Sequence, residues 1–206
     1  MGLTGRSCAN PMVRGLFVAV ALVGAADRCG PGPRAFGVYA HETGVLVRVD
    51  YDANRDGRID TRAYMRDGRP RRVEIDANGD DLIDRWEYYG AAGVLERVGT
   101  STLRDGREDA WTRDTGRERH VDLSTRRDGV IDRREVYRGG ALVRAETDTN
   151  RDGLPDTWEE FEDGAVRQLL LDDQKRLGRP TRRLVYGPGG AVRIEPMLPG
   201  RDDASR

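Results

Sequence analysis

The stretch Asp148-Thr-Asn-Arg-Asp-Gly-Leu-Pro-Asp156 decides how this 206-residue chain is interpreted, because it recurs along the sequence. Close copies begin at Asp52 and Asp76. The sixth position of the motif, where the chain turns sharply, returns every 23 to 25 residues, at Gly57, Asp81, Gly106, Gly129, Gly153 and Gly178. A period held over six copies indicates a repeat protein.

Acidic and amide side chains alternate in the three best copies, as calcium-binding loops require. Calcium takes about six to eight oxygen ligands, so a loop must turn alternate carboxylates inward around one point. Side chains at positions one, three, five and nine and the backbone carbonyl at position seven are the candidates. The predicted ligands of calcium (Ca2+) are Asp52, Asn54, Asp56, Arg58 and Asp60; Asp76, Asn78, Asp80, Leu82 and Asp84; and Asp148, Asn150, Asp152, Leu154 and Asp156.

The sixth and twelfth positions vary more than the rest. Gly supplies the positive φ of the bend, and Asp81 is among the few residues that also tolerate it. At position twelve, Glu87, Glu135 and Glu159 could each offer a bidentate carboxylate, whereas Ala63 cannot. We count Glu87 and Glu159 among the predicted ligands of the better copies.

The other three copies are eroded. Ser101 and Leu103 stand at ligand positions of the copy at Gly106, so no ion is expected there. In the copy at Gly129, Arg126 places a cation among the ligands and predicts weak binding or none. The copy at Gly178 has Asp173, Lys175 and Leu177 at ligand positions and predicts a turn without metal. Asp, Asn and Gly also form turns without any ion, and this interpretation is favoured for the eroded copies.

The segments between the loops predict strands. They are rich in Val, Ile, Tyr, Trp, Thr and Arg with partial alternation, and Gly interrupts each one near its middle. Isolated helices shorter than about 12 residues are marginal, so EF-hand helices are not expected, although Trp158 and Phe161 have helical spacing. We predict an all-β fold: an elongated antiparallel β-meander of about six 24-residue hairpin repeats, with calcium loops along one edge.

Composition narrows the function classes. Only 37% of the residues are apolar and 34% are charged, which disfavours a large core. The 35 basic residues are interspersed with 36 acidic ones, so no basic patch indicates nucleic-acid binding. His41 and His120 have no partners of a catalytic motif, and no nucleophile elbow or phosphate-binding Gly loop is present. We predict no catalytic residues and no enzyme activity.

The N-terminus predicts export. Residues 1–26 combine basic residues, an apolar run and small residues at its end, as in a secretory signal peptide. Residues 27–43 are interpreted as a linker, 44–196 as the repeat domain and 197–206 as a disordered tail. The apolar run is shorter than the roughly 20 residues of a membrane span, so the mature chain is expected to have no transmembrane segment and to be secreted, periplasmic or at the cell surface. Asp27 and Arg28, directly before Cys29, disfavour a lipid anchor on that cysteine.

The motif resembles the loops of EF-hands, dockerins and thrombospondin type 3 repeats. It is also similar to the Asp-rich loops of bacterial secreted repeat proteins in which an aromatic strand follows, as in Asp84-Arg-Trp and Asp156-Thr-Trp. The resemblance implies calcium binding. The chain lacks the flanking helices of EF-hands and dockerins and the cysteines common in thrombospondin repeats.

Three functions remain open from the sequence. The first is an exported calcium-binding scaffold with a structural or adhesive role. The second is a recognition module in which the face around Trp86, Tyr88 and Trp158 binds a surface protein or a glycan. The third, and the least favoured, is a hydrolase whose site has no known motif.

Overall fold

The repeats form one open antiparallel sheet. The computed structural model describes residues 34–174, 177–187 and 190–197, and in this part of the chain each of the 14 strands pairs with the next in sequence. The strands are β1 (Arg34–Tyr39), β2 (Leu46–Asp52), β3 (Thr61–Arg66), β4 (Arg69–Ile75), β5 (Arg85–Tyr89), β6 (Leu95–Thr100), β7 (Ala110–Asp114), β8 (Glu118–Leu123), β9 (Arg133–Arg138), β10 (Ala141–Thr147), β11 (Thr157–Glu162), β12 (Ala165–Leu171), β13 (Arg182–Tyr186) and β14 (Val192–Pro196).

The sheet is much longer than it is wide. Its strands have five to seven residues, or about 17 to 24 Å, while 14 strands spaced by about 4.8 Å extend for roughly 60 Å. The strand order follows the sequence without a crossover, and the sheet does not close into a barrel. The predicted elongated all-β meander is therefore confirmed.

The two long edges of the sheet differ. One edge carries tight hairpins such as Asp67-Gly68, where φ values of 53° and 72° give the twist that a two-residue hairpin requires. The opposite edge carries the six acidic segments, which connect each even-numbered strand to the next odd-numbered one. This separation follows from antiparallel pairing of consecutive strands.

The sheet begins earlier than predicted. β1 lies within residues 27–43, which the sequence analysis interpreted as a linker, and it pairs with β2 from Arg34↔Asp52 to Tyr39↔Leu46. The Gly-Pro-Gly-Pro segment at residues 30–33 is typical of a linker, whereas Phe36, Val38 and Tyr39 directly after it are strand-forming residues. The predicted signal peptide and residues 198–206 of the predicted tail lie outside the described residues. Among the described residues, no helix is long and apolar enough to cross a membrane.

Small apolar residues are buried under long charged side chains, because the sheet is a single layer. Ala145 in β10 is completely covered. It lies between Glu135 of β9 and Glu159 of β11 in the same cross-strand row. Arg133 joins these two carboxylates at 2.8 and 2.7 Å, so an ion pair passes over β10. Long side chains thus provide the cover that a second layer would otherwise supply.

The tryptophans form part of the other face. Gly99 of β6 pairs with Trp86 of β5 on one side and with Trp111 of β7 on the other. The two tryptophans are only 5% and 9% exposed. The side chain of Glu108 occupies the space that a side chain at residue 99 would fill. The repeated phase of these tryptophans therefore serves packing.

Candidate calcium loops

Hydrogen bonds between neighbouring loops hold the acidic edge in register. We number the loops 1 (52–60), 2 (76–84), 3 (101–109), 4 (124–132), 5 (148–156) and 6 (172–181). The backbone carbonyl of Asp60, at the end of loop 1, accepts a hydrogen bond from the N–H of Asp76, at the start of loop 2, at 2.8 Å. The same bond joins every later pair, ending with Asp172 and Asp156 at 2.9 Å. Backbone hydrogen bonds between neighbouring loops therefore fix the position of each loop along this edge.

Within the intact loops, every predicted side-chain ligand accepts a backbone N–H. In loop 5, the two carboxylate oxygens of Asp148 accept from residues 151 and 153 at 2.6 and 2.9 Å. Asn150 accepts from Asp152 at 2.9 Å, Asp152 accepts from Leu154 at 2.9 Å, and Asp156 accepts from residue 149 at 3.0 Å. Loops 1 and 2 repeat this arrangement.

The backbone bends as the motif requires. The fourth and sixth residues of each intact loop have positive φ, including 68° at Arg151 and 88° at Gly153. Asp81 replaces Gly at the sixth position of loop 2 and has φ of 68°, which confirms the predicted left-handed conformation. These two bends bring backbone N–H groups of the loop within hydrogen-bond reach of its acidic and amide side chains.

The chemistry of these loops suits a hard cation, although the side chains are turned toward amides. In the described residues, no three Asp, Glu, His or Cys side chains converge closely enough to hold a metal ion. A carboxylate has about four lone-pair positions, however, so an oxygen that accepts one N–H can also bind a cation. In loop 2, the buried Oδ1 of Asp84 has no hydrogen-bond partner, and an ion at that point would satisfy it.

The main difference between intact and eroded loops is how their charge is balanced. In loop 2, Asp81 at position six pairs with Arg58 of loop 1 at 3.1 Å. Besides it, loops 1, 2 and 5 each carry three carboxylates at positions one, five and nine. Within the described part of the chain, none of these nine carboxylates forms an ion pair with an arginine. They are Asp52, Asp56, Asp60, Asp76, Asp80, Asp84, Asp148, Asp152 and Asp156.

In loop 3, an arginine of the next loop supplies the cation. Arg127, the fourth residue of loop 4, bonds Asp109 at 2.8 Å and also bonds Asp105. The hydrogen bonds that Arg127 donates to Asp109 and Asp105 raise the pKa of Arg127. The bond from Arg127 lowers the pKa of Asp105. Burial acts to raise the pKa of Asp109, but hydrogen bonds from Arg127 and residue 102 outweigh it and lower the pKa.

Loop 4 is balanced in the same way. Arg151, the fourth residue of loop 5, bonds Asp128 of loop 4. The N–H of Val130 and the guanidinium of Arg151 lower the pKa of Asp128. Arg126, which sequence analysis placed among the ligands of loop 4, instead turns away and donates to the carbonyl of Thr149 at 3.0 Å. The roles of Arg127 and Arg151 were not predicted from the sequence, because the fourth position of the motif is not a ligand position.

Loop 6 begins one residue earlier than predicted. Asp172, not Asp173, makes the backbone bond that the first residue of every other loop makes. Its carboxylate accepts from the N–H of Leu177 and Gly178 at 2.7 and 3.1 Å. This loop is one residue longer than the others, so counting back from Gly178 gave the wrong first position.

The two predicted twelfth-position ligands lie away from the loops. Glu87 in β5 is bonded by Arg85 at 3.0 Å and Tyr89 at 2.5 Å, within its own strand. Glu159 in β11 is bonded by Arg133. Side chains alternate between faces along a strand, so a residue three positions after the last loop Asp points to the opposite face. In a helix after the loop, the side chain three positions after the last Asp would point back toward the loop, but in a strand it does not.

Comparisons with known proteins add little. No protein-family model matches the chain, and no curated protein matches it. Among solved structures, the crystal structure of a point mutant of S. aureus TarM in complex with fondaparinux, alpha-GlcNAc-glycerol and UDP has a TM-score of 0.36 and 16% sequence identity, covering 56% of this chain and 20% of that chain. Similarity at this level supports no conclusion about the present chain.

Proposed function

We propose that this protein is an exported calcium-binding scaffold, in which ions held by loops 1, 2 and 5 stabilise a single-layer sheet for a structural or adhesive role outside the cytoplasm. The observation that carries the proposal is the set of nine loop carboxylates without an arginine partner among the described residues. In loops 3 and 4 of the same sheet, arginines bond three of the four corresponding carboxylates, namely Asp105, Asp109 and Asp128.

The ion would supply the charge that arginine supplies elsewhere. Three carboxylates within nine residues repel one another, and the repulsion opposes the tight turn. The side chains at positions one, three, five and nine would hold the ion, with the carbonyls of Arg58, Leu82 and Leu154 as further oxygen donors. Because the first and ninth residues are hydrogen-bonded to adjacent loops, an ion in one loop would also stabilise its neighbours.

A role as a recognition module through the aromatic face has less support. Trp86 is buried, and Tyr88 is already engaged within the sheet. Tyr88 donates to Glu108 at 2.7 Å, and the guanidinium of Arg97 lies 4.4 Å from its ring centroid. These contacts would have to break before the face could bind a glycan. Export remains part of the proposal on the strength of the pattern in residues 1–26.

Calorimetric titration and thermal melting of the chain test this proposal directly. We expect about three calcium ions per chain, and a melting temperature that is higher in calcium than in chelator, with magnesium as the control ion. Identical melting in all three buffers, with no heat of calcium binding, would show that the acidic loops are turns alone.

A further inference from the structure

An arginine-lined pocket lies on the edge opposite the calcium loops. It is an open pocket of about 400 Å³ beside the β3–β4 hairpin, lined by Arg66, Asp67, Arg69, Arg71 and Ala91. Its volume is within the range of about 300 to 1,000 Å³ that small-molecule sites occupy. Neither the calcium loops nor the aromatic face includes any of these residues.

The backbone brings the three arginines to the pocket by separate means. Arg66 and Arg69 are opposite each other on either side of the two-residue turn. Arg71 is the extra residue of a β-bulge, since Tyr64 pairs with Arg72 and the next pair skips to Pro70. A bulge changes the direction of a side chain relative to a regular strand. Arg69 also donates to the carbonyl of Ala91 at 3.2 Å, which ties it to the next hairpin.

These arginines lack the carboxylate partners that other hairpin arginines have. In the described part of the chain, none of the three forms an ion pair. By contrast, Arg138 on the β9–β10 hairpin bonds Glu118, and Arg167, the bulge residue of β12, bonds Glu162 at 3.2 Å. Three unpaired guanidinium groups around one pocket repel one another unless an anion joins them.

Asp67 is the one acidic residue of the pocket, and its presence has a backbone explanation. Its φ is 53°, and an Asp-Gly pair is among the preferred sequences for this hairpin turn. Asn serves the turn equally well. The charge of Asp67 is therefore separable from its role in the fold.

We propose that Arg66, Arg69 and Arg71 bind the phosphate group of a phosphate ester. Guanidinium groups bind phosphate through paired N–H donors, and their planar geometry makes arginine suited to this anion. The ester could be a small soluble molecule or the headgroup of an anionic lipid, since the same oxygens are presented in both cases.

Side-chain NMR of the chain in calcium gives a residue-specific test. Titration with glycerol phosphate is expected to shift the Nε–Hε signals of Arg66, Arg69 and Arg71 but not that of Arg138. Arg71→Gln should weaken binding by about tenfold, a typical cost of losing a charge-assisted hydrogen bond. Asp67→Asn should strengthen binding, because it removes a negative charge and keeps the turn. Arg138→Gln is the matched control and should leave the affinity unchanged.

Sedimentation with phosphatidylglycerol vesicles distinguishes the two sources of phosphate. Vesicle binding that is tighter than glycerol phosphate binding and is lost in Arg71→Gln identifies a lipid headgroup, and binding of glycerol phosphate alone identifies a soluble ester. The proposal is overturned if the three arginine signals do not move, or if Arg71→Gln binds both probes as well as the unmodified chain. Vesicle binding that depends on Asp152 but not on Arg71 would also overturn it, since calcium bridging would then explain it.

Discussion

Replacing Asp152 by Asn separates the two roles that an acidic loop residue can have. In the structure, Oδ1 of Asp152 accepts the N–H of Leu154 at 2.9 Å, and the Oδ1 of asparagine can keep this bond. The exposed contact of its other oxygen with Asn150 at 3.1 Å is lost. Asp152→Asn therefore keeps the turn and removes one of three repelling charges. In chelator, we expect its melting temperature to equal or exceed that of the unmodified chain.

In calcium, the same substitution should destabilise the protein. At ten times its dissociation constant, one ion adds about 1.4 kcal/mol to the free energy of unfolding, so three ions add about 4 kcal/mol. For a domain of this size, 1 kcal/mol corresponds to roughly 2 to 4 °C, which gives a calcium-dependent rise of about 8 to 16 °C. Asp152→Asn should remove about a third of this rise, and a double substitution that includes Asp56→Asn should remove about two thirds.

Circular dichroism melts in calcium and in chelator provide the assay, with Asp105→Asn as the matched control. Asp105 accepts the N–H of Arg107 at 3.2 Å as an Asx turn, but its charge is balanced by Arg127 and not by an ion. The control should lower the melting temperature by the same amount in both buffers. An equal decrease in the melting temperature of Asp152→Asn in calcium and in chelator would refute an ion-binding role for this residue, because its carboxylate would then act only in the turn.

Three further predictions concern the rest of the sheet. Arg127→Gln removes both ion pairs that close loop 3, so it should lower the melting temperature by the same amount in calcium and in chelator; a larger loss in calcium would contradict this. Burial and the hydrogen bond to Glu87 raise the pKa of Tyr89 in the folded chain. The stability that Tyr89 contributes is therefore complete below about pH 10, the ordinary tyrosine pKa, and is lost as the pH rises further. Urea unfolding at about pH 9 and about pH 11 should show a smaller decrease in stability for Tyr89→Phe. Gly99→Ala would displace Glu108, and should cost roughly 1 kcal/mol, the net value of a hydrogen bond, and shift tryptophan fluorescence to the red; an unchanged spectrum would mean that Glu108 does not shield the indoles.

The repeat period made the fold predictable from the sequence. A 24-residue unit with a Gly turn at its middle leaves two short segments, each too short for a stable helix but long enough for a strand. Antiparallel pairing of consecutive strands then places all loops on one edge. The strand at residues 34–39 was not predicted, because the Gly and Pro residues before it are typical of a linker and the strand is held mainly by its pairing with β2.

The candidate site was predictable only where it depends on spacing within one loop. Positions one to nine are local, so the side chains of Asp148 and Asp156 could be assigned to one turn from the sequence. The placement of Glu159 depends on whether a strand or a helix follows the loop. Arg127 and Asp109 are 18 residues apart in the sequence, and they pair because their two loops are adjacent in space. Such contacts between repeats are set by the register of the sheet.

Carboxylates repel one another in each loop along this edge of the sheet. Arginines balance this charge in loops 3 and 4, and we propose that calcium balances it in loops 1, 2 and 5. Several loop carboxylates are buried in this single-layer sheet, among them Asp52 and Asp76, and the backbone bond between position nine of one loop and position one of the next keeps successive loops adjacent. In loop 3, loss of two ligand positions accompanies a guanidinium that reaches back from the following loop. Loop 1 is followed instead by Gly79, which has no side chain to reach back, and its three carboxylates are intact. Arg104 holds the same fourth position after loop 2 without forming an ion pair in the described part of the chain. In loops 3 and 4, loss of ligand positions accompanies an arginine bond from the following loop, and there the chain itself supplies the positive charge.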